Sequence, residues 1–229
     1  MKGSLRRRRR LLISSGPTRE PIDPVRFLSN YSTGYMGYCL AREARRRGYG
    51  VTVVSGPAAW RPLPGARVVR VEQAGQMRQA LARHLPTADA LIMAAAVCDF
   101  RPAKRAAAKL PRHSTQRLSL IATPDILASL PVRRGQVRVG FALETSASLA
   151  RVAGRLKRKR LDLIVGQSAN GRGGPFGQQP VEAVLLSAAG GVRRLGRIAK
   201  PRLARALLDE IEQLWYGGVP PTKRKGAGA

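Results

Sequence analysis

The segment over residues 15–37, SGPTREPIDPVRFLSNYSTGYMG, constrains the fold more than any other part of the chain. The short apolar run Leu11, Leu12, Ile13 precedes it and predicts a strand over 10–14. A helical pattern begins near Tyr35. A strand that opens into a polar loop and then a helix is half of a nucleotide-binding βαβ unit. Gly34 and Gly37 fall at the expected helix start, where backbone N–H groups can face a phosphate with no Cβ in the way. Connections of this kind usually take about 2–6 residues. This one carries Thr18, Arg19, Arg26, Ser29, Asn30 and Ser32, far more polar chemistry than a connection needs.

The rest of the chain repeats the strand and helix alternation. Met36, Leu40 and Ala44 give a helix over 35–47, stopped by Gly48. Strands follow over 51–55 and 68–71, then an amphipathic helix over 73–85 with Met77, Leu81 and Leu85 spaced four apart. The run ALIMAAA over 90–96 is the most apolar strand and reads as central, buried on both faces. This order predicts an α/β fold, a Rossmann-like and mostly parallel sheet flanked by helices. Residues 100–122 break the rhythm and read as an inserted extended arm or hairpin carrying Lys104 and Lys109. Thr123 or Asp125 then starts a short helix, with Thr-Pro as cap and first position. A strand over 136–141, a helix over 146–158 and a buried strand over 161–165 come next. A polar loop over 166–179 leads to a hairpin of 181–187 with 191–195 and a terminal helix over 200–216. The expected organisation is a basic extension over 1–9, a single domain over 10–216 and a disordered tail over 217–229.

Composition enters where it excludes functions. The net charge is +29, yet lysine supplies only eight of the 42 basic residues, so arginine carries the excess. That charge motivates an alternative reading, an Arg-rich nucleic-acid-binding protein on a nucleotide-binding fold; a genome-wide preference for Arg over Lys is the blander source. Cys39 and Cys98 lack metal-ligand spacing, and His84 and His113 are isolated, so neither a protein-held metal nor a His-based triad is expected. The arginines at 6–10 are followed by too short an apolar run for a signal peptide, and no stretch approaches the roughly 20 apolar residues of a membrane span. A cytoplasmic protein is expected. The glycines of 15–37 come too late for a dinucleotide fingerprint, and no acid ends the strand over 51–55. An NAD enzyme is therefore the weaker choice.

The first segment resembles the opening of bacterial phosphopantothenoylcysteine synthetase (phosphopantothenate–cysteine ligase). The blocks AAAVCDFRP (94–102), ATPDIL (122–127), VGFALET (139–145) and RLDLIV (160–165) follow in that family's order and spacing. The resemblance covers roughly 10–215 and not the flavin-dependent decarboxylase to which the ligase is often fused. It implies a ligase of coenzyme A biosynthesis that joins 4′-phosphopantothenate to L-cysteine. It further implies CTP as co-substrate, Mg²⁺ on the triphosphate, an acyl-cytidylate intermediate, a homodimer and a separate decarboxylase partner.

The resemblance also implies roles. Asn30 matches the residue against the acyl-phosphate intermediate, and Arg26 a substrate-side arginine, with Gly34 beside them in substrate binding. Met93, Ala94 and Ala95 fall where main chain meets the nucleotide, followed by Asp99. Lys109 matches an arm lysine that closes over the reacting phosphates. Pro124, Asp125, Ile126 and Leu127 form a helix start over the nucleotide, with Phe141 beside it. Arg155 and Lys159, one helical turn apart, match a triphosphate-binding pair. Four departures stand out: Tyr35 where a lysine is usual, Leu110-Pro111-Arg112 after Lys109, Arg155 in place of a lysine, which keeps charge but not shape, and Gly166-Gln167 where Ala-Asn is common.

Overall fold

The computed structural model describes residues 7–60, 63–112, 117–144, 148–169 and 175–217. In chain order the first elements are β1 (Arg10–Ser15), β2 (Arg19–Pro21), β3 (Phe27–Ser29), α1 (Tyr35–Arg46), β4 (Gly50–Ser55) and β5 (Arg67–Arg70). Next come α2 (Ala74–His84), β6 (Ala90–Met93), β7 (Phe100–Pro102), β8 (Leu120–Ala122) and α3 (Ile126–Ser129). The last are β9 (Val137–Glu144), α4 (Leu149–Arg158), β10 (Leu163–Ser168), β11 (Val181–Ser187), β12 (Val192–Ile198) and α5 (Lys200–Tyr216).

Eight strands form one sheet in the order β12-β11-β10-β9-β6-β1-β4-β5. The six from β10 to β5 are parallel, and β11 and β12 add an antiparallel edge. The chain builds outward from β1 through β4 to β5, then returns to the other side of β1 with β6. The reversal between β1 and β6 is the switch point at which ligands enter open α/β sheets.

Alternation along the strands sorts the core into two layers. Leu11, Ile13, Ala90, Ile92, Val139 and Val165 pack against α1 and α5. Leu12, Leu91, Met93 and Ile164 pack on the other face against α2, α3 and α4. Ile13, Ala90, Ile92, Val139 and Val165 are wholly buried. The central, doubly buried strand expected over 90–96 is therefore β6, although it ends at Met93.

Several local readings change. The segment over 15–37 holds a small antiparallel hairpin, β2 with β3. The arm begins as a second hairpin, β7 with β8, so its return strand is Leu120–Ala122 and the alternation over 117–121 overlaps it only in part. Asp125 caps α3, its carboxylate accepting from Ala128 N–H at 3.2 Å, and Thr123 stays outside the helix. α4 starts at Leu149 with Ser148 as its cap. Of the basic start, Arg7 and Arg9 are ion-paired to Asp89. The expected tail from 218 onward and arm residues 113–116 lie outside the described residues.

Candidate functional site

Beyond the carboxyl ends of β1, β6 and β9 lies a cavity of about 680 Å³. Its first wall is the turn before α1. Gly34 takes φ 79°, a left-handed conformation that glycine adopts without steric cost. A Cβ on Gly37 would lie 2.2 Å from Ser15 Oγ, and that hydroxyl donates to Gly34 O at 3.2 Å. The helix start is thus drawn onto the end of β1, which only a glycine at 37 permits.

The second wall, residues 94–99, is stitched to the first. Ala95 N–H donates to Ser14 Oγ at 3.1 Å and Ala96 N–H to Gly16 O at 2.9 Å. Cys98 N–H donates to Thr18 Oγ1 at 2.9 Å. Asn30 closes the seam: its Nδ2 donates to Ala96 O at 3.0 Å and to Val97 O at 3.1 Å. Both amide protons are thereby committed to main chain, and the side-chain oxygen is the free end.

The third wall is α3 with α4. Lys159 Nζ lies 3.0 Å from Asp125 Oδ2. Burial favours the neutral Asp125 carboxyl, but Lys159 and the capping N–H groups outweigh it and hold its pKa below the ordinary value. Arg155 Nη2 lies 3.1 Å from Glu144 Oε1. Under α3, the buried Arg138 guanidinium donates to Leu127 O at 2.9 Å and Leu130 O at 3.4 Å.

The fourth wall comes from α5 and the loop before β11. Lys200 is 4% exposed, and its ammonium donates to Pro175 O and Gly177 O, each at 2.6 Å. Between those carbonyls Phe176 meets Tyr31, with ring centroids 5.7 Å apart. Among the described residues, three buried polar atoms on the cavity walls have no hydrogen-bond partner: Thr33 Oγ1, Thr123 Oγ1 and Gln167 Nε2. Unsatisfied groups gathered in one cavity are the expected marks of a polar ligand. A second cavity of about 620 Å³ lies on the far side of Gly34, walled by Tyr38, Trp60, Leu63 and Val68. It has no acidic lining residue, and of the predicted site residues only Gly34 reaches it.

Comparison with known proteins now bears on this geometry. Residues 6–214 match the family described as the DNA/pantothenate metabolism flavoprotein C-terminal domain. The chain belongs to that family. It is 40% identical over 217 residues to the coenzyme A biosynthesis bifunctional protein CoaBC of Mycobacterium bovis, covering 89% of this chain and 52% of that protein. The protein of the same name from Vibrio parahaemolyticus is 34% identical over 209 residues, with 89% and 52% covered. The chain therefore spans about half the length of these curated relatives. Among solved structures, the C-terminal domain of a CoaBC superposes with a TM-score of 0.76 at 35% identity, covering 90% of this chain and 95% of that one. A Cab2 H337A complex with phosphopantothenate-cysteine shares the fold, with a TM-score of 0.71 at 20% identity and 93% and 89% covered.

Most residues singled out by the resemblance to this family converge on the large cavity. Asn30 and Gly34 line the first wall, and Met93, Ala94, Ala95 and Asp99 the second. Pro124, Asp125, Ile126 and Leu127 line the third with Arg155 and Lys159, and Phe141 stands on the floor. Two do not line it. Arg26 is held in a fork to Asp23 at 2.9 and 2.6 Å and donates to Leu110 O at 2.8 Å. Lys109 is exposed on the arm, because Asp23 accepts from Leu110 N–H at 3.2 Å and fastens the arm to the 22–26 turn. Burial opposes ionisation of Asp23, but Arg26 and three backbone N–H groups prevail and hold its carboxyl well below the usual range. Asp23, Arg26 and the Leu110 main chain thus form a latch that fixes the arm beside Lys109 in this conformation. Sequence reasoning missed Thr33, Thr123, Gln167, Phe176 and Lys200. The departure at Gly166-Gln167 was the one signal available for any of them.

Proposed function

We propose that this chain is a phosphopantothenate–cysteine ligase of coenzyme A biosynthesis, using CTP and working through an acyl-cytidylate. The observation that carries the reading is the seam at Asn30. It holds the loop before α1 against residues 94–99 inside a cavity that also presents Lys159 and Lys200. Membership of the family and the 40% identity to a bifunctional CoaBC support the pathway. The Cab2 complex supports the pair of joined substrates, since that protein was solved with phosphopantothenate-cysteine.

In this reading the substrate carboxylate attacks the α-phosphorus of CTP, and the bond to pyrophosphate breaks with its electron pair leaving on pyrophosphate. The cysteine amine then attacks the acyl carbon, loses a proton, and expels CMP. The difficulty is bringing an anionic carboxylate to an anionic triphosphate. Oriented N–H groups before α1 and the cations of the cavity answer it by stabilising charge that develops on the phosphorus oxygens. Asn30 holds the 96–97 main chain in place, and its side-chain oxygen, with no partner among the described residues, can accept from a substrate N–H or O–H.

Mg²⁺ on a triphosphate keeps several waters and needs only one or two protein carboxylates. Asp99, exposed at the cavity wall and without a side-chain partner among the described residues, fits that need. Bound there, the ion would neutralise phosphate charge. Among the described residues no cluster of three or more metal-ligating side chains exists.

A homodimer fits the surface. Phe100 is 57% exposed, and Phe27, Leu120 and Ile121 stand exposed on the neighbouring hairpins β2–β3 and β7–β8. Apolar side chains on short exposed strands are suited to burial against a second copy. For Lys109 to act on phosphate, the arm must leave its latch or reach the cavity of that copy. A separate decarboxylase would consume the ligated product. Among the described residues no helix is long and apolar enough to cross a membrane. The reading is tested by incubating the purified chain with CTP, 4′-phosphopantothenate and cysteine and following CMP.

A further inference from the structure

The cations of the cavity are not equivalent. Lys159 and Arg155, the pair matched to the triphosphate, each face a carboxylate, at 3.0 Å on Asp125 and 3.1 Å on Glu144. Their charges are partly countered before any ligand arrives, Lys159 by Asp125 and Arg155 by a Glu144 that it shares with Arg151 at 3.4 Å. Lys200 differs. It is 4% exposed, lines the same cavity, and meets two carbonyl oxygens but no carboxylate among the described residues. Carbonyls satisfy two N–H groups without cancelling the charge, and burial pulls the Lys200 pKa below the ordinary lysine value, so the ammonium form is held at a cost. Such a charge is costly unless an anion joins it.

A second observation points to the same place. On β10, Leu163 and Val165 face the α1–α5 layer, and by alternation Gln167 faces the same side. Its buried Nε2 has no acceptor among the described residues. Lys200 opens α5 on that side, close enough to Cys39 of α1 for each to act on the other's ionisation. A buried ammonium and an unused amide donor therefore line the same cavity, both on the side of the sheet that carries α1 and α5. Neither was assigned a role by the motif resemblance.

We infer that Lys200 and Gln167 form an anion subsite for a phosphate group of the nucleotide, and that Lys200, more than Arg155 or Lys159, supplies its uncompensated charge. The inference rests on the proposed reading only for the word nucleotide; the subsite itself would take any phosphate chain short enough for the cavity. Its two carbonyl bonds also make Lys200 the clasp of the 175–177 loop, so the ligand would be bound by a lysine already fixed in place.

The probe is inorganic pyrophosphate, titrated calorimetrically into the full chain, with Arg158→Gln at an exposed helix position as the control for adventitious binding to a basic protein. Lys200→Met should weaken pyrophosphate by about tenfold or more, Gln167→Leu by roughly threefold, and Lys200→Arg should recover most of the loss. Lys159→Gln should cost less than Lys200→Met. Wild-type affinity in a folded Lys200→Met, or a loss no greater than that of Arg158→Gln, would overturn the inference. Should Lys200→Met not fold, ¹⁵N-lysine labelling of the wild-type chain decides. The buried ammonium exchanges slowly enough to be seen, and its resonance must shift with pyrophosphate; an unmoved resonance overturns the proposal. Pyrophosphate binding that depends on Lys200 without any CMP release would leave the subsite standing and remove the ligase reading. CMP release undiminished in Lys200→Met would do the reverse.

Discussion

Asn30 Nδ2 sits 3.0 Å from the carbonyl oxygen of Ala96, joining the turn before α1 to the strand end at the far side of the switch point. Asn30→Asp sets a carboxylate against that carbonyl and the one of Val97. Two oxygens then face an anion, which raises the new carboxyl's pKa and opens the seam. The rate of CMP release should fall by roughly a hundredfold or more near neutral pH. The loss should shrink as pH falls, because the protonated acid regains one donor. A pH profile of kcat parallel to that of the wild type would contradict this.

Asp125 both caps α3 and occupies Lys159. Asn keeps a capping acceptor and releases the lysine. Asp125→Asn should therefore bind pyrophosphate more tightly, by about twofold to fivefold, since partly exposed pairs are worth up to about 1 kcal/mol. Asp125→Ala should show the same gain with an added stability loss of about 1 kcal/mol for the cap. Calorimetry with thermal melting separates the two effects.

Arg138 is 1% exposed, and burial pushes its guanidinium pKa down while Asp162 partly restores it. Losing its bonds to the Leu127 and Leu130 carbonyls costs about 1.5–3 kcal/mol each, and removing a buried charge returns several. Arg138→Met should thus leave overall stability within about 1 kcal/mol of the wild type. The α3 wall loses its anchor, so KM for CTP should rise by roughly threefold to tenfold with kcat little changed. A large melting shift with unchanged KM would assign Arg138 to the core alone.

Glu43 receives Arg46 at 2.7 Å and Arg47 at 2.8 Å, and Arg47 continues to Asp209 and Glu212 of α5. The arginine bonds outweigh burial and bring the Glu43 carboxyl from 4.5 down to about 2. A folded pKa below the unfolded one gives stability that is present above pH 4.5 and lost as pH falls toward 2. Glu43→Gln should cost roughly 1–3 kcal/mol at pH 7 and almost nothing at pH 2. Denaturant melts at the two pH values check the sign.

Much of this architecture could be read directly from residue order. The stripe of Leu203, Leu207 and Ile211 placed α5 at its observed bounds, and the apolar run at 90 placed the central strand. Asn30 stood out in a loop more polar than a connection needs, whereas its role and that of the 94–99 wall came from the family resemblance. The hairpin β2–β3 was not, since three-residue strands interrupted by Pro21 and Pro24 leave no alternation to detect. Arg26 reads as a ligand-facing cation until its neighbour Asp23, three residues away, is seen to hold it. Lys200 at a helix start reads as a solvated charge; the carbonyls of Pro175 and Gly177 that bury it arrive from a distant turn.

The central claim is that one cavity at the switch point activates a carboxylate on a nucleotide and passes it to an amine. It is tested most directly by quenched-flow analysis of the purified chain with radiolabelled CTP and 4′-phosphopantothenate, with and without cysteine. The account predicts pyrophosphate and an enzyme-bound cytidylate without cysteine, and stoichiometric CMP with phosphopantothenoylcysteine once cysteine is added. CTP that stays intact under both conditions would contradict it.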